Sequence, residues 1–251
     1  MRVLVVTAVL VERDAVAAAF APTAAREYAI PGASLSSVAP TQGGPAVFDL
    51  LAAGVGPAAA AAATAAALTA AALDEQTDEQ PSGPYDLVVS AGIGGGFQPE
   101  APVGSLVLAD EITAADLGAE TADGFVPVTE LGFGAVTHRP PESLVRALAA
   151  VTGAHTGAVL TVNTVTGSAA RAAKLRRCHP RALAEAMEGF GVAEAAAAHG
   201  VPVLELRAVS NPVGPRDRAA WRIGDALAAL TGAFGKLAPA LESWNRHDRT
   251  Q

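Results

Sequence analysis

The sequence predicts a single α/β domain in which helices cover both faces of a central mixed or mainly parallel β-sheet. Two patterns lead to this prediction. Strand-like and helix-like segments mostly alternate along the chain, and many strand-like segments are apolar at every position rather than at every second one. A third observation is size, because 251 residues, of which 51% are hydrophobic, are enough for one large core.

Strands are predicted where β-branched and apolar residues run together, which occurs at 3–9, 47–53, 87–91, 105–109, 158–162 and 203–209. Helices are predicted from the alanine-rich run that follows Gly56 to about Leu73, and over 141–151, 168–177, 188–199, 218–230 and 236–244. Residues 74–84 are predicted to form a solvated loop within the domain, and residues 110–140 an irregular polar segment.

The charge balance excludes some partners. The chain has 17 basic and 25 acidic residues, and a formal charge of −8 repels nucleic acid phosphates. One cysteine, Cys178, cannot form a disulfide within the chain, which suits a reducing compartment. The first apolar run is interrupted at Glu12 and is too short for a signal peptide or a membrane span. We therefore expect a cytoplasmic protein that binds neither nucleic acid nor a membrane.

Several common site motifs do not fit the sequence. The stretch GVGPAA opens a helix but lacks the acidic residue after a second strand that dinucleotide binding requires, and GIGGGF is followed by Gln98 and Pro99 rather than by a helix. A phosphate-loop lysine and a GxSxG nucleophile elbow are also missing. The histidines are scattered without metal-ligand spacing, at His138, His155, His179, His199 and His247.

Polar residues concentrate at the ends of predicted strands. Glu12 follows the first strand, SAGIGGG (90–96) closes the third, AMEGFG spans residues 186–191, and RAVSN (207–211) closes the last. Ligands of α/β folds bind where strands end and loops begin. We therefore expect these four stretches to form one site, although a single glutamate or glycine turn would by itself be unremarkable surface structure.

The four stretches, taken in order with others, resemble the nucleoside phosphorylase and nucleosidase superfamily, on the side of the methylthioadenosine/S-adenosylhomocysteine nucleosidases. The matching segments cover nearly the whole chain: TAVLVERDAV, AAGVGPAAAAAA, VVSAGIGGGF, VGSLVLAD, VTGSAARAAKL, AMEGFGVAEAA and LRAVSN. The resemblance implies a three-layer α/β/α domain, nucleoside phosphorylase-like, that acts on an N-glycosidic bond. Within the superfamily, the set is most similar to enzymes that release hypoxanthine from a nucleoside with a benzoate-bearing 5′ extension, in menaquinone biosynthesis.

The resemblance also implies roles for individual residues. Glu12 matches the glutamate that activates water, and Arg207 matches an arginine that helps to order that water. Met187 and Glu188 match the pair that holds the ribose, and Asn211 matches the position that meets the purine leaving group. The chemistry suits these residue types, because a glutamate can act as a general base and a carboxylate can accept hydrogen bonds from both ribose hydroxyls.

The sequence departs from the family pattern at several predicted substrate-binding positions. Ile93, next to Gly94 in the glycine stretch, replaces a serine that helps to hold water. Thr164 or Val165 occupies the position of the aromatic residue that stacks on the base, so Phe190 or Phe97 is considered as a substitute ring. Ala186 replaces a glutamate that precedes the ribose-binding pair.

Asn211 is the position that predicts the substrate class. The adenine nucleosidases of the family usually have aspartate there, which suits the N7 acceptor and amino donor of adenine. A 6-oxopurine instead presents two acceptors, N7 and O6, and an asparagine amide has two N–H donors for them. The sequence therefore favours a hypoxanthine- or guanine-type nucleoside over an adenosine type.

Two alternatives remain open at this point: a phosphorylase or nucleosidase of another purine nucleoside, and a non-catalytic nucleoside-binding protein of the same fold. Hydrolysis is favoured because Glu12 would repel a phosphate dianion at short range. The resemblance implies water as co-substrate, no metal, no cofactor, and a homodimer or larger homo-oligomer. Residues available for a benzoate are Arg216, Arg139 and His138.

Overall fold

The protein, analysed as a computed structural model, is described for residues 1–20, 25–39, 46–73 and 84–244. Its strands are β1 (Arg2–Thr7), β2 (Arg26–Ile30), β3 (Ala33–Val38), β4 (Val47–Ala52), β5 (Leu87–Gly96), β6 (Leu106–Ala114), β7 (Gly118–Thr121), β8 (Gly124–Pro127), β9 (Thr137–His138), β10 (His155–Thr161), β11 (Ala182–Ala186) and β12 (Val203–Pro212). Its α-helices are α1 (Leu10–Ala17), α2 (Pro57–Leu73), α3 (Glu142–Thr152), α4 (Ala169–Cys178), α5 (Gly189–Ala198) and α6 (Ile223–Ser243).

The central sheet is mixed, as the sequence predicts. Its strand order is β11-β10-β6-β12-β5-β1-β4-β3-β2, with β9 paired to β6. Three successive pairs are parallel, namely β4 with β1, β1 with β5, and β5 with β12. The next pair, β12 with β6, is antiparallel. The far end of β5 also pairs with β11, which closes β5, β12, β6, β10 and β11 into a small barrel. The barrel brings the ends of β5, β11 and β12 together.

Helices cover both faces of the sheet, which confirms the predicted three-layer arrangement. On one face, α1, α3 and α6 pack apolar side chains such as Val16, Leu148 and Phe234 against β1, β5 and β12. On the other face, α2 and α5 contribute small residues such as Ala60 and Ala196. A smaller cluster holds α4 against β10, so the end of that strand is also covered.

The alanine-rich helix α2 uses its small side chains within the chain. It packs against α5, and a Cβ on Gly191 would lie 2.1 Å from the carbonyl oxygen of Pro57. Such a distance is far inside van der Waals contact, so only glycine fits at residue 191. This close packing fixes the start of α5, the helix that directly follows Glu188.

Several element predictions were wrong. The two predicted closing helices are one helix, α6, preceded by a short 3₁₀ helix over Arg218–Ala220. Buried residues at helical spacing, such as Leu230 and Phe234, run through the helix, and their packing outweighs the cost of its glycines, which is about 1 kcal/mol each. Strands β2, β3 and β11 were missed because their sequences have many alanine and polar residues, which carry little strand preference.

Other predictions needed new boundaries. The glycine stretch after residue 91 is part of β5 rather than a loop, because the strand continues to pair with β12 through Gly96. The first strand ends at Thr7, two residues earlier than predicted, and α1 begins at Leu10. The segment 110–140 contains the end of β6 and the β7–β8 hairpin as well as irregular structure. The predicted loop 74–84 lies outside the described residues except for Pro84.

Candidate active site

Glu12 lies in the first turn of α1 and is held by backbone donors. Its Oε2 accepts hydrogen bonds from the N–H groups of Ala8 (3.0 Å) and Val9 (3.4 Å), which lie just before the helix. Its Oε1 accepts from the N–H of Ile93 in β5 (2.9 Å). The first two contacts are typical of a glutamate that caps its own helix, whereas the third joins the carboxylate to a central strand. Glu12 is buried.

Arg207 is a central residue of β12 and is only 1% exposed. Each nitrogen of its guanidinium group has a different partner: Nε donates to Oε1 of Glu205 (2.9 Å), Nη2 donates to Oγ of Ser90 (3.0 Å), and Nη1 lies 3.4 Å from Oε2 of Glu188. The first contact joins residues two apart on β12, which share a face of the strand. The β5–β12 register explains the second, because Glu205 lies opposite Ser90 and Arg207 opposite Gly92. The cluster formed by Glu12, Glu188, Glu205, Arg207 and Ser90 is called the arginine cluster below.

Glu12 and Arg207 meet beside Gly92. A Cβ on this glycine would lie 2.6 Å from Oε1 of Glu12 and 2.8 Å from Nη1 of Arg207. Both distances are shorter than any real Cβ contact, so the close approach of the two side chains depends on glycine at this position. The carboxylate oxygen and the guanidinium nitrogen therefore lie on the same small area of β5, where one water molecule could contact both.

Glu188 lies at the junction between β11 and α5. Its Oε1 accepts from the N–H of Gly56 (3.2 Å), and its Oε2 accepts from the N–H of Met187 (3.3 Å). Glu188 is buried and Met187 is half-buried. The first backbone donors of α5 are also satisfied, because the N–H of Phe190 donates to Oγ1 of Thr161 (2.8 Å). The predicted ribose-binding pair is thus fixed by contacts from three separate parts of the chain.

The electrostatics of the arginine cluster are unusual because three carboxyl groups share one guanidinium. Burial raises the pKa of Glu205, an effect that the charge of Arg207 opposes and that of Glu188 reinforces. Burial alone would lower the pKa of Arg207, but the carboxylates of Glu205 and Glu188 outweigh it, and its pKa lies above the ordinary value. The guanidinium is therefore permanently charged inside the protein.

Asn211 ends β12 beside the glycine stretch, after an irregularity in the β5–β12 register. The Oγ of Ser210 donates to Oδ1 of Asn211 (2.9 Å) and also lies 3.2 Å from the carbonyl oxygen of Gly94. The Nδ2 of Asn211 donates to the carbonyl oxygen of Pro212 (3.1 Å), a bond that is exposed to solvent. One of the two amide hydrogens that the sequence offered to a purine therefore already has a partner within the chain.

The loop between β10 and α4, which contains Thr164 and Val165, is fastened at both ends by carboxylates. Asp116 accepts from the backbone N–H of Asn163 (3.1 Å) and from its side-chain amide (3.2 Å). Glu185 accepts from the N–H of Thr166 (2.8 Å), and its other oxygen accepts from the Thr166 hydroxyl. Between these two attachments Thr164 and Val165 are exposed.

The remaining predicted residues are placed less favourably. Gly94 packs against the neighbouring strand, since a Cβ there would lie 2.9 Å from the carbonyl oxygen of Glu185. Phe97 is 1% exposed and belongs to the cluster beneath α4. Phe190 is buried, and its ring lies 5.4 Å from that of His138, tilted by 44°. Neither phenylalanine presents an open ring face comparable to the exposed surface of the loop at Thr164.

The residues considered for a benzoate also differ in their surroundings. The imidazole of His138 lies 2.8 Å from Oε1 of Glu194, and Arg139 forms an ion pair with Glu111 at 3.0 Å. Arg216 instead stacks over the ring of Trp221, 5.5 Å from its centroid.

Sequence reasoning missed several polar residues that hold the site together. They are Ser90 and Glu205 in the arginine cluster and Asp116, Thr166 and Glu185 around the exposed loop. Because residue 93 is isoleucine rather than serine, the sequence suggested that only Glu12 and Arg207 hold the water. The hydroxyl of Ser90 contacts Arg207, so a serine is still part of this group. The contact of Glu205 with Arg207 could have been predicted from the sequence. Glu205 lies two residues before Arg207, and side chains at this spacing share a face of a strand.

Neither a membrane span nor a metal site is evident among the described residues. No helix there is long and apolar enough to cross a membrane. In the same part of the chain, no three histidine, cysteine, aspartate or glutamate side chains group in a way that could hold a metal ion.

Comparison with known proteins identifies the relatives of this architecture. The profile of the phosphorylase superfamily matches residues 2–240. The chain is 73% identical over 249 residues to the futalosine hydrolase of Streptomyces coelicolor. The match spans 99% of this chain and 100% of that protein. It is 47% identical over 161 residues to the futalosine hydrolase of Acidothermus cellulolyticus, covering 62% of this chain and 66% of the relative.

Solved structures share the fold. The 5′-methylthioadenosine/S-adenosylhomocysteine nucleosidase of Neisseria meningitidis, in complex with methylthio-immucillin-A, superposes with a TM-score of 0.75 at 19% identity and covers 97% of this chain and 99% of that one. The futalosine hydrolase of Helicobacter pylori gives a TM-score of 0.76 at 16% identity, covering 94% and 97%. These likenesses confirm the predicted fold class.

Proposed function

The chain belongs to the phosphorylase superfamily, and we propose that within it the protein is an N-glycosidase that hydrolyses futalosine and releases hypoxanthine. Futalosine is the hypoxanthine nucleoside, with a benzoate-bearing 5′ extension, that the sequence resemblance favoured, and it would be hydrolysed for menaquinone biosynthesis. The observation that carries the proposal is the meeting of Glu12 and Arg207 beside Gly92, with Glu188 on the same guanidinium. This arrangement supplies a base, a cation and a sugar-binding carboxylate at the end of one sheet.

The reaction breaks a C–N bond through an oxocarbenium-like sugar and needs a positioned water molecule. We assign the general base to Glu12, because its Oε1 lies beside the Nη1 of Arg207 and both groups can contact one water. General base catalysis of this kind contributes about 10²–10⁴-fold in rate. Arg207 orients the water, and its fixed positive charge keeps the surrounding carboxylates in place.

Glu188 is assigned to the ribose. A carboxylate offers two acceptor oxygens and can bind both ribose hydroxyls, while Met187 forms an apolar wall under the sugar. The contacts of Glu188 with Gly56 and Met187 hold the carboxylate before substrate arrives. A preset sugar site of this kind supports catalysis by positioning.

Asn211 and the exposed loop at Thr164 and Val165 are assigned to the purine. The free amide hydrogen of Asn211 can donate to N7 or O6, and the exposed bond to Pro212 can exchange for a second bond to the base. The other residues of the predicted substrate site, Ile93, Gly94 and Phe190, support this surface from the strands and helix behind it.

Hydrolysis is favoured over phosphorolysis by the charges around the nucleophile. The guanidinium of Arg207 already has a partner on each nitrogen. A phosphate dianion at this position would face Glu12 and Glu188 at short range, whereas a neutral water would not.

The segment from Val213 to Arg222 supports recognition of the benzoate. The N–H of Arg222 donates to the carbonyl oxygen of Ser210 (2.8 Å), which holds the segment against the end of β12 next to Asn211. Arg216 and Arg218 lie 5.5 and 5.8 Å from the centroid of the Trp221 ring. Two arginines beside an indole match an aromatic carboxylate in both charge and shape.

Replacing both Arg216 and Arg218 by glutamine tests this assignment. We expect KM for futalosine to rise about 10-fold or more, because charge-assisted hydrogen bonds are lost, while KM for inosine stays the same because inosine has no carboxylate. Equal changes for the two nucleosides, or no change for either, would contradict it.

The remaining parts of the proposal concern assembly and location. We propose that the protein acts in the cytoplasm, without a metal or cofactor, as a homodimer or larger homo-oligomer. Exposed apolar side chains next to Glu12 and Gly56 support the assembly, namely Val9, Leu10, Val11 and Val55. Light scattering after size exclusion gives the oligomer number, and a monomer at micromolar concentration would contradict this part.

A panel of nucleosides with chromatographic detection of free base tests the proposed function. Futalosine, inosine and methylthioadenosine are incubated with the protein, each with and without phosphate. We expect hypoxanthine release from futalosine at a rate independent of phosphate. Phosphate-dependent release would indicate a phosphorylase, and tight binding of futalosine without release would indicate a binding protein.

A further inference from the structure

We propose that Glu205 is a positioning residue that sets the orientation of the Arg207 guanidinium. By accepting a hydrogen bond from Nε, it turns Nη1 toward Glu12 and Glu188. The inference rests on the proposed function, because it concerns the arginine that orders the nucleophilic water. Glu205 itself lies one layer behind the reacting atoms and acts through Arg207.

The position of Glu205 on β12 makes this role geometrically direct. Residues two apart on a strand project from the same face, so the carboxyl of Glu205 lies alongside the side chain of Arg207. Its Oε1 lies 2.9 Å from Nε, the nitrogen nearest to the rotatable chain. A guanidinium group is planar, so a partner fixed at Nε also fixes the directions in which Nη1 and Nη2 point.

The carboxyl of Glu205 cannot easily move away from this position. The residue is 0% exposed. A Cβ on Gly189 would lie 2.1 Å from Oε2, so the backbone of Gly189 presses directly on the carboxyl group. Gly189 immediately follows Glu188, and one carboxyl therefore supports both the guanidinium and the turn that carries the ribose-binding residue.

A purely structural explanation does not account for Glu205. A buried carboxyl is costly, and apolar residues of similar size usually serve a strand core at least as well. Oε2 has no hydrogen-bond partner among the described residues, so the group is not even fully satisfied. Burial raises the pKa of Glu205, although the charge of Arg207 opposes the shift, so the carboxyl lies where its charged form is disfavoured.

Ser90, which also contacts the Arg207 guanidinium, is less able to set its orientation. Its hydroxyl lies 3.0 Å from Nη2, and a hydroxyl rotates to suit its partner. Ser90 therefore follows the guanidinium, whereas the confined carboxyl of Glu205 directs it.

Two substitutions of almost equal size separate positioning from simple packing. Glu205→Gln keeps an oxygen acceptor for Nε, whereas Glu205→Met fills the same space without one. With futalosine as substrate, we expect Glu205→Met to lower kcat about 10–100-fold with little change in KM, because the water is misplaced while the sugar and base contacts remain. Glu205→Gln should recover most of the lost turnover.

Leu204→Met, a volume-conserving change at the neighbouring buried position of β12, is the control and should remain fully active. Thermal unfolding of each variant shows that it is folded. If Glu205→Met does not fold, Gly189→Ala is used instead, because its Cβ must displace the carboxyl and should lower kcat in the same way.

Three results would overturn the inference: full turnover by a folded Glu205→Met protein, full turnover by a folded Gly189→Ala protein, or a loss in Glu205→Gln as large as that in Glu205→Met. Failure of the proposed function is seen separately, since the unsubstituted protein would then release no hypoxanthine from futalosine.

Discussion

The arginine cluster and the loop from Asn163 to Thr166 both lie at the end of the sheet but differ in how far the protein satisfies them. In the cluster, the carboxylates and the guanidinium are buried and hydrogen-bonded to one another or to backbone N–H groups. The loop is held only at its ends, by Asp116 and Glu185, and exposes Thr164 and Val165 between them.

This difference separates chemistry from recognition. Groups that stabilise developing charge work best when they are already oriented and shielded from water, as in the cluster. Groups that read a base must stay open until the substrate arrives, as we propose for Asn211 and the loop. We therefore expect substitutions in the cluster to change turnover and stability, and substitutions on the open side to change substrate choice.

The largest expected effect is on turnover at Glu12. Glu12→Gln keeps the size of the side chain but removes the proposed general base, so kcat for futalosine should fall about 10²–10⁴-fold. Glu142→Gln, at a carboxylate whose side chain is 90% exposed, is the matched control and should be fully active. Release of hypoxanthine under saturating substrate measures both. Retention of near-normal kcat by Glu12→Gln would exclude this glutamate as the base.

The next effect is on stability at Arg207. Arg207→Met removes the only cation of the arginine cluster and leaves the carboxyls of Glu205 and Glu188 buried without it. The free energy of unfolding should fall by about 3–5 kcal/mol, as when one partner of a buried pair is removed. Urea unfolding, with Leu204→Met as the control, measures it. A loss no larger than that of the control would show that pairing contributes little to this cluster.

Substitutions at Asn211, next to the exposed loop, should instead change the preference for one base over another. Asn211→Asp replaces an amide donor by a group that, when protonated, suits adenine, so the ratio of kcat/KM for hypoxanthine over adenine nucleosides should fall roughly 10-fold or more. Inosine and adenosine, which differ only in the base, are the matched substrates. An unchanged ratio would remove Asn211 from base recognition.

The smallest expected effect is a pH dependence of stability at Glu185. Burial raises its pKa in the folded protein, although the hydrogen bonds from Thr166 oppose the shift. Between the ordinary pKa and the raised one, the folded state binds more protons than the unfolded state, so stability falls as pH rises through this range. Glu185→Gln cannot titrate and should make the fall shallower. Thermal unfolding from acid to neutral pH measures it, and an identical slope in both proteins would contradict the prediction.

The pattern of apolar residues was sufficient for the strands that build the centre of the sheet and for most helices. It was insufficient for β2, β3 and β11, whose alanine and polar residues have little preference for a strand outside the sheet that stabilises them. The apolar pattern also predicted two helices where α6 is one, because local preference favours a break at the glycines. The helix stays continuous because its apolar face is buried in the core, which only the folded structure shows.

The candidate site shows the same division. Glu12, Glu188 and Arg207 could be found from motifs, because each belongs to a short stretch that resembles the family. Ser90 could not, because its contact with Arg207 comes from the register that places Glu205 opposite Ser90 and Arg207 opposite Gly92. Glu205 was overlooked, although its spacing of two residues from Arg207 was visible in the sequence. The two-donor reading of Asn211 was incomplete, because its bond to Pro212 exists only once the end of β12 has folded.

Local patterns of residues were enough to predict the α/β class, the order of most central elements and the chemical types of residue that could contact a nucleoside. The tertiary structure decided which of those residues meet. Segments far apart in the chain contribute Glu12, Gly92, Glu188 and Arg207. Parallel pairing of β5 with β12 brings Gly92 to Arg207, and contacts with Ile93 and Arg207 add Glu12 and Glu188. The physical reason is that local preference acts over a few residues, whereas the orientation of a buried guanidinium depends on every acceptor that the fold packs around it.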